Sequence, residues 1–113
     1  MSRRASAALA GAAPVFAALG DETRLRLVAQ LCRDGPLPIA RLSDASPVTR
    51  QAVTKHLHAL ARAGLVRRRG PGRRRGQVWE LQPRRLDEAR QWLDRISQQW
   101  DDALESLRAF VEE

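Results

Sequence analysis

The chain has 113 residues, the size of one domain, with 20 Lys and Arg against 13 Asp and Glu for a formal charge of +7 and a pI near 11.4. A single cysteine, Cys32, excludes an intramolecular disulfide framework and a cysteine-built zinc ribbon. The cation excess makes nucleic acid the first expected partner, and no run approaches the ~18 consecutive apolar residues of a membrane span, so no membrane partner and a cytoplasmic location are expected.

Met1 to Arg4 and the alanine-rich run up to Leu19 have the outline of a secretory leader, but Gly11 and Pro14 interrupt the run and it lacks a leucine block. Residues 1–13 are expected to form a flexible arm, and 14–113 a single folded domain. Val15, Phe16 and Leu19 predict a first helix ending at Gly20. Asp21 is placed to cap a second, from Glu22 to about Arg33, with Leu25, Leu27, Val28, Leu31 and Cys32 on its buried face. Asp34-Gly35-Pro36 ends it. A short third helix fits Ile39 to Ser43, stopped before Pro47. Thr49 then caps a fourth helix to Ala63, with Val53, Leu57 and Leu60 as its core stripe and Gly64 as its stop.

After Gly64 the period changes. Residues 65–69 and 77–81 predict two short strands around a Gly-Pro-Gly turn, a hairpin over about 65–81. From about residue 84 to 111, Leu86, Ala89, Leu93, Ile96, Trp100, Ala103, Leu107 and Phe110 alternate steps of three and four. That is a heptad seam, which requires a facing helix. The order of elements predicts a mainly α fold of about five helices with a two-stranded wing, a winged helix-turn-helix.

Charge is segregated along this order. Residues 41–85 carry eleven Arg and Lys55 against Asp44 and Glu80, net +10, whereas residues 86–113 are net −5. On the fourth helix Arg50, Thr54 and His58 fall four apart, flanked by Gln51, Lys55 and Arg62, opposite the core stripe. Such a face suits a major groove, where Arg and Lys match guanine edges and Gln matches adenine, while Thr49 and the helix N-terminus can hold a phosphate. Strand alternation sends Arg67, Arg68 and Arg69 to different faces. The tip residues Arg73, Arg74 and Arg75 are therefore the better candidates for phosphate or minor-groove contact, although an arginine run alone is usually a solvated loop.

The segments Leu19-Gly20-Asp21-Glu22-Thr23-Arg24-Leu25-Arg26-Leu27 and Val53-Thr54-Lys55-His56-Leu57, with Leu60 and Ala63-Gly64-Leu65-Val66, resemble the ArsR/SmtB family of bacterial winged-helix transcriptional regulators over about residues 14–82. Trp92-Leu93, Trp100, Leu104 and Leu107 are similar to a subgroup with a tryptophan-bearing last helix. The resemblance implies a homodimeric, nucleoid-associated repressor on an imperfect palindrome upstream of its own operon, with the first and last helices at the interface. The expected dimer contacts are Val15, Phe16, Leu19, Leu86, Leu93, Ile96, Trp100, Ala103, Leu107 and Phe110.

The sequence departs from the metal-sensing members. Aligning residues 37–42 on their paired-cysteine motif puts Pro38 and Ala40 at the cysteine positions, and the last helix has no histidine. The thiolate and imidazole ligands of a soft or borderline metal are absent there, so no metal and no cofactor are expected. Cys32 is read as a core residue with a minor redox alternative. His56 is read as a packed helix residue, and Trp79, Trp92 and Trp100 as core or interface, with Trp92 placed off the seam where it could line a pocket for an unidentified small-molecule effector. No phosphate loop or nucleophile–base pair points to an enzyme. The rival readings are a basic, non-specific DNA or RNA architectural module, and a protein-interaction module built on the last helix.

Overall fold

The computed structural model describes residues 3–71 and 76–112. In chain order it has α1 (Arg3–Leu19), α2 (Glu22–Asp34), α3 (Ile39–Asp44), α4 (Arg50–Arg62), β1 (Val66–Arg69), β2 (Val78–Leu81) and α5 (Pro83–Glu112). These are the five helices and the hairpin of a winged helix-turn-helix.

α1 begins at Arg3, so the arm expected over residues 1–13 is helical from its third residue. Alanine gives up no side-chain entropy in a helix, and the eight alanines from Ala5 to Ala18 outweigh Gly11 and the exposed Pro14. Ala12, Val15 and Ala18 turn inward and are buried.

α2 is fixed at both ends by local chemistry. Asp21, with extended backbone, accepts the N–H of Arg24 at 3.1 Å. At the other end Gly35, at φ 77°, donates its N–H to the Leu31 carbonyl, a left-handed stop that glycine adopts without a Cβ penalty. The buried stripe is narrower than its apolar residues predict. Leu27 and Leu31 are buried, whereas Leu25 is half exposed and Cys32 is exposed. Leu25 and Cys32 lie roughly 140–160° around the helix from Leu27, at 100° per residue, beyond the strip that α4 and the wing cover.

α4 starts at Thr49, whose Oγ1 accepts the Ala52 N–H at 3.1 Å. It ends in a Schellman motif: the Leu65 N–H reaches the Leu60 carbonyl and the Gly64 N–H the Ala61 carbonyl, with Gly64 at φ 78°. Leu60 and Leu65 both have no exposed surface, the apolar contact that accompanies this turn. Val53, Leu57 and Leu60 join Leu42, Val15, Leu27 and Leu31 in one core.

The wing pairs β1 and β2 antiparallel, with Arg67 opposite Glu80 and Arg68 opposite Trp79. Leu37, ahead of α3, adds an isolated bridge on the far side of β2 by exchanging both backbone hydrogen bonds with Trp79, at 3.0 and 2.8 Å. The base of the turn needs glycine: at φ 126°, a Cβ on Gly70 would collide with the Gly76 carbonyl oxygen. Arg73, Arg74 and Arg75 lie outside the described residues.

α5 spans 30 residues, a length of about 45 Å, opened by a proline whose missing N–H costs nothing there. Its first turns pack on the core through Leu86 and Ala89, and its inner contacts are with α1. The helix then leaves the body, which gives the chain its extent of 66 × 31 × 20 Å. No described helix is long and apolar enough to cross a membrane.

Candidate nucleic-acid interface

The core stripe of α4 leaves Gln51, Lys55, His58 and Arg62 on its exposed side, with Thr49 and Arg50 exposed at its start. Thr54 is half-buried, and its hydroxyl already donates to the Arg50 carbonyl at 2.9 Å. It retains acceptor capacity but has no free proton. Thr49 likewise keeps a lone pair beyond its capping bond. His56 lies on the inner flank, with Nδ1 3.8 Å from Oδ1 of Asp21. The Arg24 N–H, helped by the charges of His56 and Arg24, holds the Asp21 carboxyl below its ordinary range against the opposing effect of desolvation.

Arg50, Thr54 and His58 form one wall of a cleft of about 450 Å³ whose other wall is Arg68, Gln77 and Trp79 of the wing. Trp79 ties the walls together. It is 6% exposed; its ring meets His58 edge-on with centroids 5.8 Å apart and an interplanar angle of 82°; and Arg68 Cζ sits 5.4 Å from its centroid. A buried aromatic in two such contacts fixes the angle between wing and helix.

The wing arginines are sorted by face. Arg67 and Arg69 lie within 2.7 and 3.3 Å of the two Glu80 carboxylate oxygens, while Arg68 points the other way, into the cleft. Arg50, Lys55, Arg62 and Arg68 are in no ion pair among the described residues. The cations beside the exposed side of α4 are thus without a protein anion, as are Arg24, Arg41, Arg95 and Arg108 elsewhere among the described residues. Sequence reasoning did not single out Arg68, Gln77 and Trp79 as parts of this site. Same-face alternation of Arg68 and Trp79 was the available signal, and using it needed the strand register.

The expected dimer contacts divide into two groups. Leu93, Ile96, Trp100, Ala103, Leu107 and Phe110 are exposed on α5, joined by Leu104 and Val111, which widen the stripe beyond a strict seam. The others are used within the protomer. Val15 is 1% exposed, so it has no surface to offer a partner, and Phe16, Leu19 and Leu86 are half-buried against the same core. Trp92, half-buried, lines a recess of about 370 Å³ between α1 and α5 beside Gly11, Arg85 and Arg95.

A capped helix with an exposed cationic side, held against a β-hairpin by a buried aromatic, defines a winged helix-turn-helix DNA-binding protein. Residues 19–69 match a family described as a helix-turn-helix domain. The chain is 39% identical over 95 residues, 84% of its length, to the HTH-type transcriptional regulator Rv2034 of Mycobacterium tuberculosis, covering 83% of that protein. The structure of an ArsR-like transcriptional regulator from Rhodococcus sp. RHA1 superposes with a TM-score of 0.74 at 36% identity, over 89% of this chain and 92% of that one. The solution structure of the homodimeric winged helix-turn-helix domain of Mb0332 from Mycobacterium bovis shares the fold, with a TM-score of 0.63 at 24% identity over 94% and 93% of the two chains. The chain belongs to the ArsR family of winged helix-turn-helix transcriptional regulators.

Proposed function

We propose that the chain is a homodimeric repressor that binds an operator palindrome near its own operon, with α4 in the major groove and the wing on flanking phosphates or the minor groove. The observation that carries this reading is the unpaired set formed by Arg50 and Arg68 in the α4–wing cleft and Lys55 and Arg62 on the exposed crest of α4 beside it. Arg50, Gln51, Lys55 and His58 are the proposed base-reading candidates, with Thr49, Thr54 and Arg62 beside them and Arg73, Arg74 and Arg75 at the wing tip. The exposed α5 stripe supports dimerisation: Leu93, Ile96, Trp100 and Leu107 have no covering surface in one copy. Two-fold pairing of such protomers addresses half-sites about 34–36 Å apart, one turn of DNA.

Release from the operator is proposed not to use the family's usual metal sites. Pro38 caps α3 where the paired-cysteine motif would begin, and α5 carries no histidine. A small-molecule effector, unidentified, is the proposed alternative, with redox change at the exposed Cys32 behind it.

Footprinting on the promoter of its own gene, followed by affinities for that site and for random duplex at physiological salt, tests the reading. A tighter fit to the promoter by about a thousandfold or more is expected. A ratio near one favours the non-specific architectural module. Arg50→Ala and Gln51→Ala proteins that keep full sequence preference remove α4 from base reading.

A further inference from the structure

On the flank of α4 away from the wing lies a second cationic recess. Its floor is Pro14, Ala17 and Ala18 of α1, Ala59 of α4 and Ala63 at the C-cap of α4, and its rims are Arg24 of α2 and Arg62 of α4. The recess is open, with a volume of about 380 Å³. Neither guanidinium is in an ion pair among the described residues: Glu22, the acid nearest Arg24 in sequence, pairs with Arg26, and Asp21, which accepts the Arg24 N–H, feels the Arg24 charge only from beyond ion-pair distance. Arg24 Nε is moreover buried without a hydrogen-bond partner. A buried donor left unmade is costly, which favours a rotamer of Arg24 that turns its fork into the recess and meets an acceptor there.

We propose that Arg24 and Arg62 grip a DNA backbone phosphate on this flank, so that each protomer holds both lips of the major groove: the wing on one side of α4 and this recess on the other. The inference rests on the proposed reading that α4 meets DNA. Helix geometry sets the two sites apart. Arg50, Thr54 and His58 face the wing, Ala59 and Ala63 the opposite flank, and Lys55 and Arg62 the crest between them. The alanine floor admits a sugar–phosphate chain that larger side chains would exclude, and the paired forks of two arginines suit phosphate oxygens. The recess adjoins the cationic crest, which points to the phosphate of a duplex rather than to a free anion.

The test uses the full-length protein and a random-sequence duplex, so that no operator need be known. The slope of log affinity against log salt is expected to fall by about 0.9 for each engaged protomer in Arg24→Gln and in Arg62→Gln, with the promoter-to-random ratio unchanged. Arg24→Lys, which keeps the charge, should restore the slope. Phosphate-ethylation interference should lose one set of positions in Arg24→Gln and a different set in Arg68→Gln. Circular dichroism melts check folding, and the exposed Arg62 supplies a variant with no buried group at stake. If Arg68→Gln lowers the slope while Arg24→Gln and Arg62→Gln both leave it unchanged, the clamp is overturned and the wing reading stands. If the wild-type protein shows no salt-dependent duplex binding, the DNA reading itself fails. Saturable binding of inorganic phosphate that Arg24→Gln abolishes, with DNA slopes unchanged, overturns the clamp in favour of a small-anion site.

Discussion

Arg68 and Trp79 are direct cross-strand partners, and the Arg68 guanidinium carbon lies 5.4 Å from the centre of the Trp79 ring. The opposite edge of the relationship is His58 on α4, against the same ring. One buried side chain therefore sets where a wing cation stands relative to the helix beside it. Leu37 fixes the backbone of that same residue from the third side, so the wing cannot tilt without breaking a ladder hydrogen bond, a ring contact or both.

Truncating Trp79 should show this. Trp79→Ala removes a buried aromatic and leaves a cavity, a change that costs about 3–5 kcal/mol, a large part of a small domain's stability. Urea unfolding should report that loss. Trp79→Phe keeps a ring for His58 and Arg68 and should lose clearly less. If alanine and phenylalanine are equally tolerated, Trp79 does not hold the wing.

Glu80 is expected to restrain DNA affinity. Its carboxylate, only 13% exposed at the side chain, sits between the exposed Arg67 and Arg69; glutamine keeps its shape and an oxygen that accepts from Arg67, so losing the charge costs folding about 1 kcal/mol. Glu80→Gln should thus melt near the wild-type temperature while releasing two cations. Affinity for random duplex should rise, and the salt slope should steepen by up to about 0.9 for each phosphate gained. A weaker or unchanged complex would place the Arg67–Arg69 face away from DNA.

Features written in local chemistry were legible from sequence. Asp21 and Thr49 cap the helices they precede, Gly35 and Gly64 end those helices, and the alternation of Arg67 to Arg69 sorts them by face, because each depends only on residues a few positions away. What depends on distant partners was not legible. Spacing alone cannot say whether Val15 faces its own core or a second copy, since both surfaces are apolar. Cys32 and Leu25 read as buried because α2 was assigned a wide stripe, yet α2 is covered along a narrow one. The cleft around Trp79 joins residues 39, 50, 54 and 58 to 68, 77 and 79, which only the hairpin register and the Leu37 bridge bring together. Arg24 stands out through the unpartnered Nε, a property of packing.

The Asp21 carboxyl predicts a pH dependence with a definite sign. The Arg24 N–H, then His56, hold its folded pKa below the ordinary 3.8. A depressed folded value means that the unfolded chain binds the proton more readily, so the contribution to stability is complete well above 3.8 and is lost as pH falls through the folded value. Asn caps helices about as well as Asp, so Asp21→Asn isolates the charge. The melting-temperature advantage of wild type over Asp21→Asn should shrink as pH is lowered from about 5 towards about 2. An advantage that grows on acidification contradicts the assignment.

The outer half of α5 should exist as a helix only because a second copy covers it. Beyond Ala89 it has no buried residue, and an isolated helix of this length is marginal in water, while Leu107 and Trp100 are 58% and 64% exposed. Leu107→Asp puts a charge in the centre of the apolar stripe without touching the protomer core. Ala109→Asp puts the same charge on the far side of the helix, about 160° from Leu107 and 180° from Trp100 at 100° per residue. Light scattering should give a dimer for wild type and Ala109→Asp and a monomer for Leu107→Asp. The far-ultraviolet helical signal should fall only in the last, since the uncovered turns lose their tertiary support. Because two linked half-site contacts bind far more tightly than one, the Leu107→Asp monomer should also lose promoter affinity by about a hundredfold or more while its random-duplex salt slope falls only to the single-protomer value. A Leu107→Asp protein that remains dimeric would place the interface elsewhere and leave the apolar stripe of α5 for another partner.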